Sequence, residues 1–165
     1  MAFPISLPEE LKIVCLWKGT AAALGAATVS KYISCKNANK VWILISHNFT
    51  TDTDLTAIGL KESTAVATTG AAVTATFPIW SQHVALYGDS DTWTRETDAA
   101  SYTPIDPALY GDTSLIFEWD PAKHTAGYDC IAVAAAGGNA ANNVHIFAFI
   151  EERYQQASPP SAIID

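Results

Sequence analysis

The stretch that decides the fold is Gly127–Asp165, GYDCIAVAAAGGNAANNVHIFAFIEERYQQASPPSAIID. Two apolar runs of strand length, Tyr128–Ala136 and Val144–Glu152, flank the small-residue connection Gly137–Asn143. Alternation in VHIFAFI is the period of a strand with one face toward a core. The reading sets His145 outward, beside buried phenylalanines. After an arginine–tyrosine pair the chain ends in a Pro/Ser tail closing on Ile163, Ile164 and Asp165. No catalytic constellation occurs in this third of the chain.

Working outward, the same pattern recurs. Thr113–Trp119 (TSLIFEW) predicts a strong strand. Asp120-Pro121-Ala122-Lys123 predicts a turn, with Asp as cap and Pro in the next position. Ala72–Ile79 alternates Val73, Ala75 and Phe77 against Thr74 and Thr76, and Pro78 marks an edge or bulge. Thr28–Ser34, with Val29, Tyr32 and Ile33 as core candidates, is expected to pair as a hairpin with Lys40–His47 across the turn at Lys36–Asn39. Leu11–Trp17 and Leu55–Lys61 are further strands, and His83–Tyr87 and Asp91–Thr97 weaker ones. Eight to ten short strands without a long helix predict an all-β fold, a β-sandwich that is jelly-roll-like, with extended N- and C-terminal arms. The expected division is an arm at 1–10, one domain at 11–154 and a tail at 155–165.

A chain of 165 residues suits one domain with a sizeable core. Only 16% of residues are charged, against about 25% in ordinary soluble domains. Such a surface suits a protein that lives in an assembly. The net charge of −8 is uneven: residues 1–61 carry +2 and the remainder −10. An acidic balance argues against nucleic-acid binding, which needs clustered Lys and Arg to displace phosphate counterions. No run reaches the roughly 18 apolar residues of a membrane span, so no membrane partner is expected. The N-terminus, MAFPISLPEELK, lacks the pattern of a signal peptide. Cys15, Cys35 and Cys130 form no CxxC pair and sit in apolar runs, as expected of buried thiols in a reducing cytoplasm.

Residues able to do chemistry are scattered. His47, His83, His124 and His145 show no metal-ligand spacing. Asp52/Asp54 and Asp89/Asp91 could hold a hard cation, but paired Asp in polar loops reads first as turn chemistry. Glu118 and Asp120 could mimic a glycosidase pair, without an acid-lined cleft to support it. Gly137-Gly138 lies between two strands and so lacks the helix start of a phosphate loop. No catalytic, cofactor or metal residues are therefore nominated, and the chain is expected not to be an enzyme. Five tryptophans (Trp17, Trp42, Trp80, Trp93, Trp119) divide between core and contact roles that sequence does not separate.

Ordered blocks run through the chain: Lys31–Asn37 with Lys40–Ile43, Ala71–Trp80, Asp91–Trp93 with Ala99–Tyr102, Gly127–Ile131, and Pro160–Asp165. In this order they resemble a family of small tailed-phage virion proteins, over roughly residues 28–165. The resemblance implies a phage structural protein, on the head as a decoration or cement protein that binds the major capsid protein on the capsid surface after assembly in the host cytoplasm. It would bind as a dimer or trimer and need no cofactor. Expected contacts are Phe3, Ile5 and Leu7 in the first arm and Tyr154, Ile163 and Ile164 toward the tail. The alternative expectation is a receptor- or carbohydrate-binding sandwich of a tail or head fibre.

Overall fold

A computed structural model describes residues 10–18, 28–48, 57–84, 92–103, 112–135, 143–154 and 161–164. The alternating runs become strands: β1 (Lys12–Trp17), β2 (Thr28–Val29), β3 (Ile33–Ser34), β4 (Ala38–Asn48), β5 (Ile58–Ser63), β6 (Ala71–Ala72), β7 (Ile79–Val84), β8 (Thr94–Arg95), β9 (Ser101–Tyr102), β10 (Asp112–Trp119), β11 (Cys130–Ala135) and β12 (Asn143–Glu152). A 3-10 turn, Pro121–Lys123, follows β10. Asp120 caps it by accepting the Ala122 N–H at 2.9 Å, as its sequence predicts.

The strands form two antiparallel sheets. The larger runs β1-β12-β4-β10-β7-β8, and the smaller β2-β11-β5-β6, with β3 also on β11 and β9 also on β5. Counting β2 and β3 as one interrupted strand, β1-β12-β4-β10 opposes β2/β3-β11-β5-β6. Within this set of eight, the chain crosses between sheets at every step except β5 to β6, which is the strand order of a jelly roll. Strands β7 and β8 lengthen the larger sheet, and β9 finishes the edge of β5.

The core lies between the sheets. Val41, Ile43 and Ile45 of β4, Leu115, Phe117 and Trp119 of β10, and Ile146, Ala148 and Ile150 of β12 face Ile33, Ile58, Leu60, Ile131 and Val133. Phe77 fills one end, 5.0 Å from the Phe117 ring and 6.1 Å from Trp119. Burying such side chains stabilises the fold by about 1.5–3 kcal/mol each.

Three expectations need correction. Strands β3 and β4 do not form a hairpin: the turn at Lys36–Asn37 is real, but β3 pairs with β11 in one sheet and β4 with β12 and β10 in the other. Ala72–Ile79 keeps its burial alternation, yet it is no continuous strand. It leaves β5 after β6 and crosses to the larger sheet at β7. In β12 the buried set is Val144, Ile146, Ala148 and Ile150, so Phe147 and Phe149 share the outer face with His145.

Residues 161–164 pack on the domain. The Ser34 N–H donates to the Ala162 carbonyl at 2.7 Å, and Ala162 is buried. This part of the expected tail already has its place against β3. Residues 1–9 and 155–160 lie outside the described residues, as do both Asp pairs of the polar loops.

Candidate functional site

The cross-strand registers show how the outer face of the larger sheet is built. One row reads Ile13–Phe149–Trp42–Glu118, and the next Cys15–Phe147–Leu44–Ile116–Trp80–Arg95. Apart from Glu118 and Arg95, every member is apolar. At about 4.8 Å between strands, the band from β1 to β7 extends roughly 19 Å. Trp42, Leu44, Trp80, Ile116, Phe147 and Phe149 are half-buried by their neighbours, while Ile13 and Cys15 are exposed. The adjoining rows are polar: Glu151–Lys40 on one side and His145–Ser46–Ser114–Gln82 on the other. An apolar strip inside polar margins is the anatomy of a protein interface.

Ionic contacts fix the strip at its β7 end. The Trp80 indole N–H donates to Glu118 Oε1 at 2.7 Å, and Lys40 Nζ donates to Oε2 of the same carboxylate. Lys40 also lies 5.1 Å above the Trp42 ring, and the Arg95 guanidinium 5.5 Å above Trp80. Arg95 is itself paired with Asp98. Burial alone would raise the Glu118 pKa, but the bonds from Lys40 and Trp80 outweigh it and hold the carboxyl below its usual range. The carboxylate stays ionised with both oxygens occupied, and two tryptophans are held in fixed orientations.

A second polar cluster closes one end of the sandwich. Glu62, 3% exposed, accepts the Thr125 N–H at 3.0 Å and faces His124 Nδ1 at 3.4 Å. The Trp119 indole donates to His124 Nε2 at 3.3 Å. With Nε2 accepting, Nδ1 carries the proton toward Glu62. Burial lowers the His124 pKa against the pull of Glu62. Burial would raise Glu62, but bonds from Thr125 and His124 bring it below its usual range. Both imidazole nitrogens are thus committed, so this chain of contacts ties β5 to the segment after β10 and leaves no nitrogen to act as a base.

Glu118 and Asp120, which in sequence could mimic a glycosidase pair, are each engaged elsewhere: Glu118 is bound by Lys40 and Trp80, and Asp120 caps a turn. Among the described residues, no group of three or more His, Cys, Asp or Glu could hold a metal ion, and no helix is long and apolar enough to cross a membrane.

Of the contact residues expected from sequence, Tyr154 and Ile164 are each 71% exposed and Ile163 45%. They lie beyond the end of β12 and in the docked tail, outside the apolar band. Phe3, Ile5 and Leu7 lie outside the described residues. Sequence reading misses the band because it sets Phe147 and Phe149 in the core and leaves Trp42 and Trp80 undivided between core and contact roles. Strict period-2 counting from Ile146 and Ile150 would have turned Phe147 and Phe149 outward. The tryptophans divide as well: Trp119 is buried, Trp42 and Trp80 sit on the band, and Trp17 packs on the core.

No protein-family model matches this chain, and no curated protein matches it either. Among solved structures it is similar to the SPBc2 prophage-derived protein YomS, at 6% identity and a TM-score of 0.36, over 85% of this chain and 91% of that one.

Proposed function

We propose that the chain is a non-enzymatic structural protein of a tailed-phage virion, a head decoration or cement protein that binds the major capsid protein on the outer capsid surface. The observation that carries the docking mode is the apolar band of Trp42, Leu44, Ile116, Trp80, Phe147 and Phe149 inside polar rows. The block order in the sequence supports the virion as its setting. Tryptophans pre-oriented by Lys40 and Arg95 have the composition of interface hot spots, and they lose little side-chain freedom on docking.

In this reading the jelly roll lies with its larger sheet against the shell and bridges neighbouring subunits, opposing the outward pressure of packaged DNA. Co-sedimentation of the purified chain with expanded capsids tests it. Saturable binding is expected, and replacing Trp42 and Phe149 together by alanine should weaken it at least about 30-fold, the size of one hot-spot loss. Binding that ignores this double substitution, or no binding to capsids at all, would refute the proposal. The carbohydrate-platform alternative is served less well, since a cation already occupies one face of each of the two band tryptophans. Quenching of tryptophan fluorescence by sugars would revive it.

A further inference from the structure

We propose that His124 is an acid-sensitive clasp: a proton taken up at Nε2 frees the turn Pro121–Thr125 from the end of the sandwich while both sheets stay folded. No residue of Pro121–Lys123 is buried, and Ala122, Lys123, Thr125, Ala126 and Gly127 are all exposed. The His124 side chain differs from these neighbours, at only 6% exposed. Its ring stands edge-on to Trp119 with the centroids 5.2 Å apart. On its other side it faces Glu62, which also accepts the Thr125 N–H. Polar contacts through one tucked imidazole therefore hold the segment more than apolar burial does, and a segment held in that way opens locally at low cost.

An indole N–H can only donate, so His124 Nε2, 3.3 Å from Trp119 Nε1, must accept, and only the neutral imidazole has an acceptor. A proton on Nε2 sets two donors against each other and takes the acceptor from a tryptophan that is fully buried. The imidazolium must also carry its charge in a site nearly closed to water. Glu62 of β5 and Asp129, just before β11, pull the other way. Burial outweighs them and holds the His124 pKa below its usual value, so the released turn takes up the proton before the closed one does. The clasp is thus at full strength above about pH 6.5 and weakens as pH falls below it. The other charges nearby are committed: Lys36 pairs with Asp129, Lys123 Nζ donates to the Thr76 carbonyl, Asp120 caps the turn, and Lys40 of the adjacent β4 is bound to Glu118. His47 titrates at the other end of the sheet, beside Thr113, whereas Trp119 lies beside Val41. The inference is independent of the capsid assignment and is tested without any capsid.

Nuclear magnetic resonance of the full-length chain, titrated from about pH 7.5 to about pH 5, tests it. The His124 midpoint should fall below about pH 6.5. Over the same step the Trp119 indole N–H should lose at least about fivefold of its hydrogen-exchange protection, corrected for intrinsic exchange, while central amides of β10 and β11 keep theirs. His124→Gln offers an acceptor and a donor that do not titrate, so in that variant the Trp119 protection should stay constant. If the glutamine variant does not fold, the native chain still decides, through the coincidence of the His124 midpoint with the loss at Trp119. Constant protection while His124 titrates, a His124 midpoint at or above about pH 6.5, an equal loss throughout β10 and β11, or a loss that His124→Gln retains would overturn the proposal.

Discussion

The outer faces of the two sheets are finished in opposite ways. On the smaller sheet, Tyr32, Cys130 and Ala132 point away from the main core, yet all three are buried, with Val29 and Val66 packed against them. The chain supplies the cover itself: residues 64–70 fold back over this face. The Ser63 hydroxyl lies 2.9 Å from the Ala65 carbonyl and 2.8 Å from that of Thr68, and the Gly70 N–H donates to the Tyr32 hydroxyl at 2.9 Å. On the larger sheet the outward residues are larger, Trp42, Trp80, Phe147 and Phe149, and they remain half-exposed. The fold covers the lesser apolar face with its own chain and leaves the greater one half-exposed, which is the face the proposed function uses.

The largest effect should follow from breaking that asymmetry. Leu44→Asp puts a charge in the middle of the band and should abolish capsid binding, at least about 100-fold, while Lys61→Asp on the smaller sheet should change it less than about two-fold. Equal effects of the two in co-sedimentation would erase the distinction.

Behind the band, His47 faces the core, and burial pushes its pKa down to about 4. An unfolded chain takes up that proton near pH 6.5, before the folded one does. Stability is thus fully present above about pH 6.5 and is lost as pH falls toward 4, by about 3 kcal/mol. Urea unfolding at pH 7 and pH 4.5 should show the loss in the native chain and much less of it in His47→Phe. Glu62 and Glu118, both held below their usual range, add to the same acid lability at still lower pH.

The cover on the smaller sheet has its own weak point. A Cβ on Gly70 would stand 1.9 Å from the Glu62 carbonyl oxygen, which is backbone and cannot turn aside. Gly70→Ala should cost about 2–3 kcal/mol and expose Cys130 to thiol reagents, while the band keeps its binding once the chain is folded. A Cys130 that stays unreactive would show that residues 64–70 do not depend on this close approach. The smallest effect is expected at Asp120→Ala, which removes one cap and should cost about 1 kcal/mol in thermal or denaturant unfolding.

Much of this architecture was legible in the sequence, and its failures share one physical origin. The runs that became β1, β10 and β11 declared themselves as apolar stretches of strand length and β12 by its alternation, and Asp120-Pro121 declared its turn. Alternation, however, reports that a strand has two faces and not what lies against each. Phenylalanines were therefore sent to the core in β12, where Ile146, Ala148 and Ile150 fill it. In the same way, Lys36-Asn37 reports a reversal of the chain, but pairing depends on long-range partners: β3 found β11, and β4 lies between β12 and β10. The candidate site was least legible, since it is assembled from β1, β4, β7, β10 and β12. Only the registers bring Ile13, Phe149 and Trp42 into one row. Glu118 drew attention as a possible acid, and its partners Lys40 and Trp80 lie on strands far off in sequence.

Cryo-electron microscopy of expanded capsids incubated with the purified chain tests the central claim most directly. The account predicts ordered density at lattice positions, with the face of Trp42, Trp80, Phe147 and Phe149 turned toward the shell. Bare capsids, or a jelly roll seated through its smaller sheet with that face open to solvent, would contradict it.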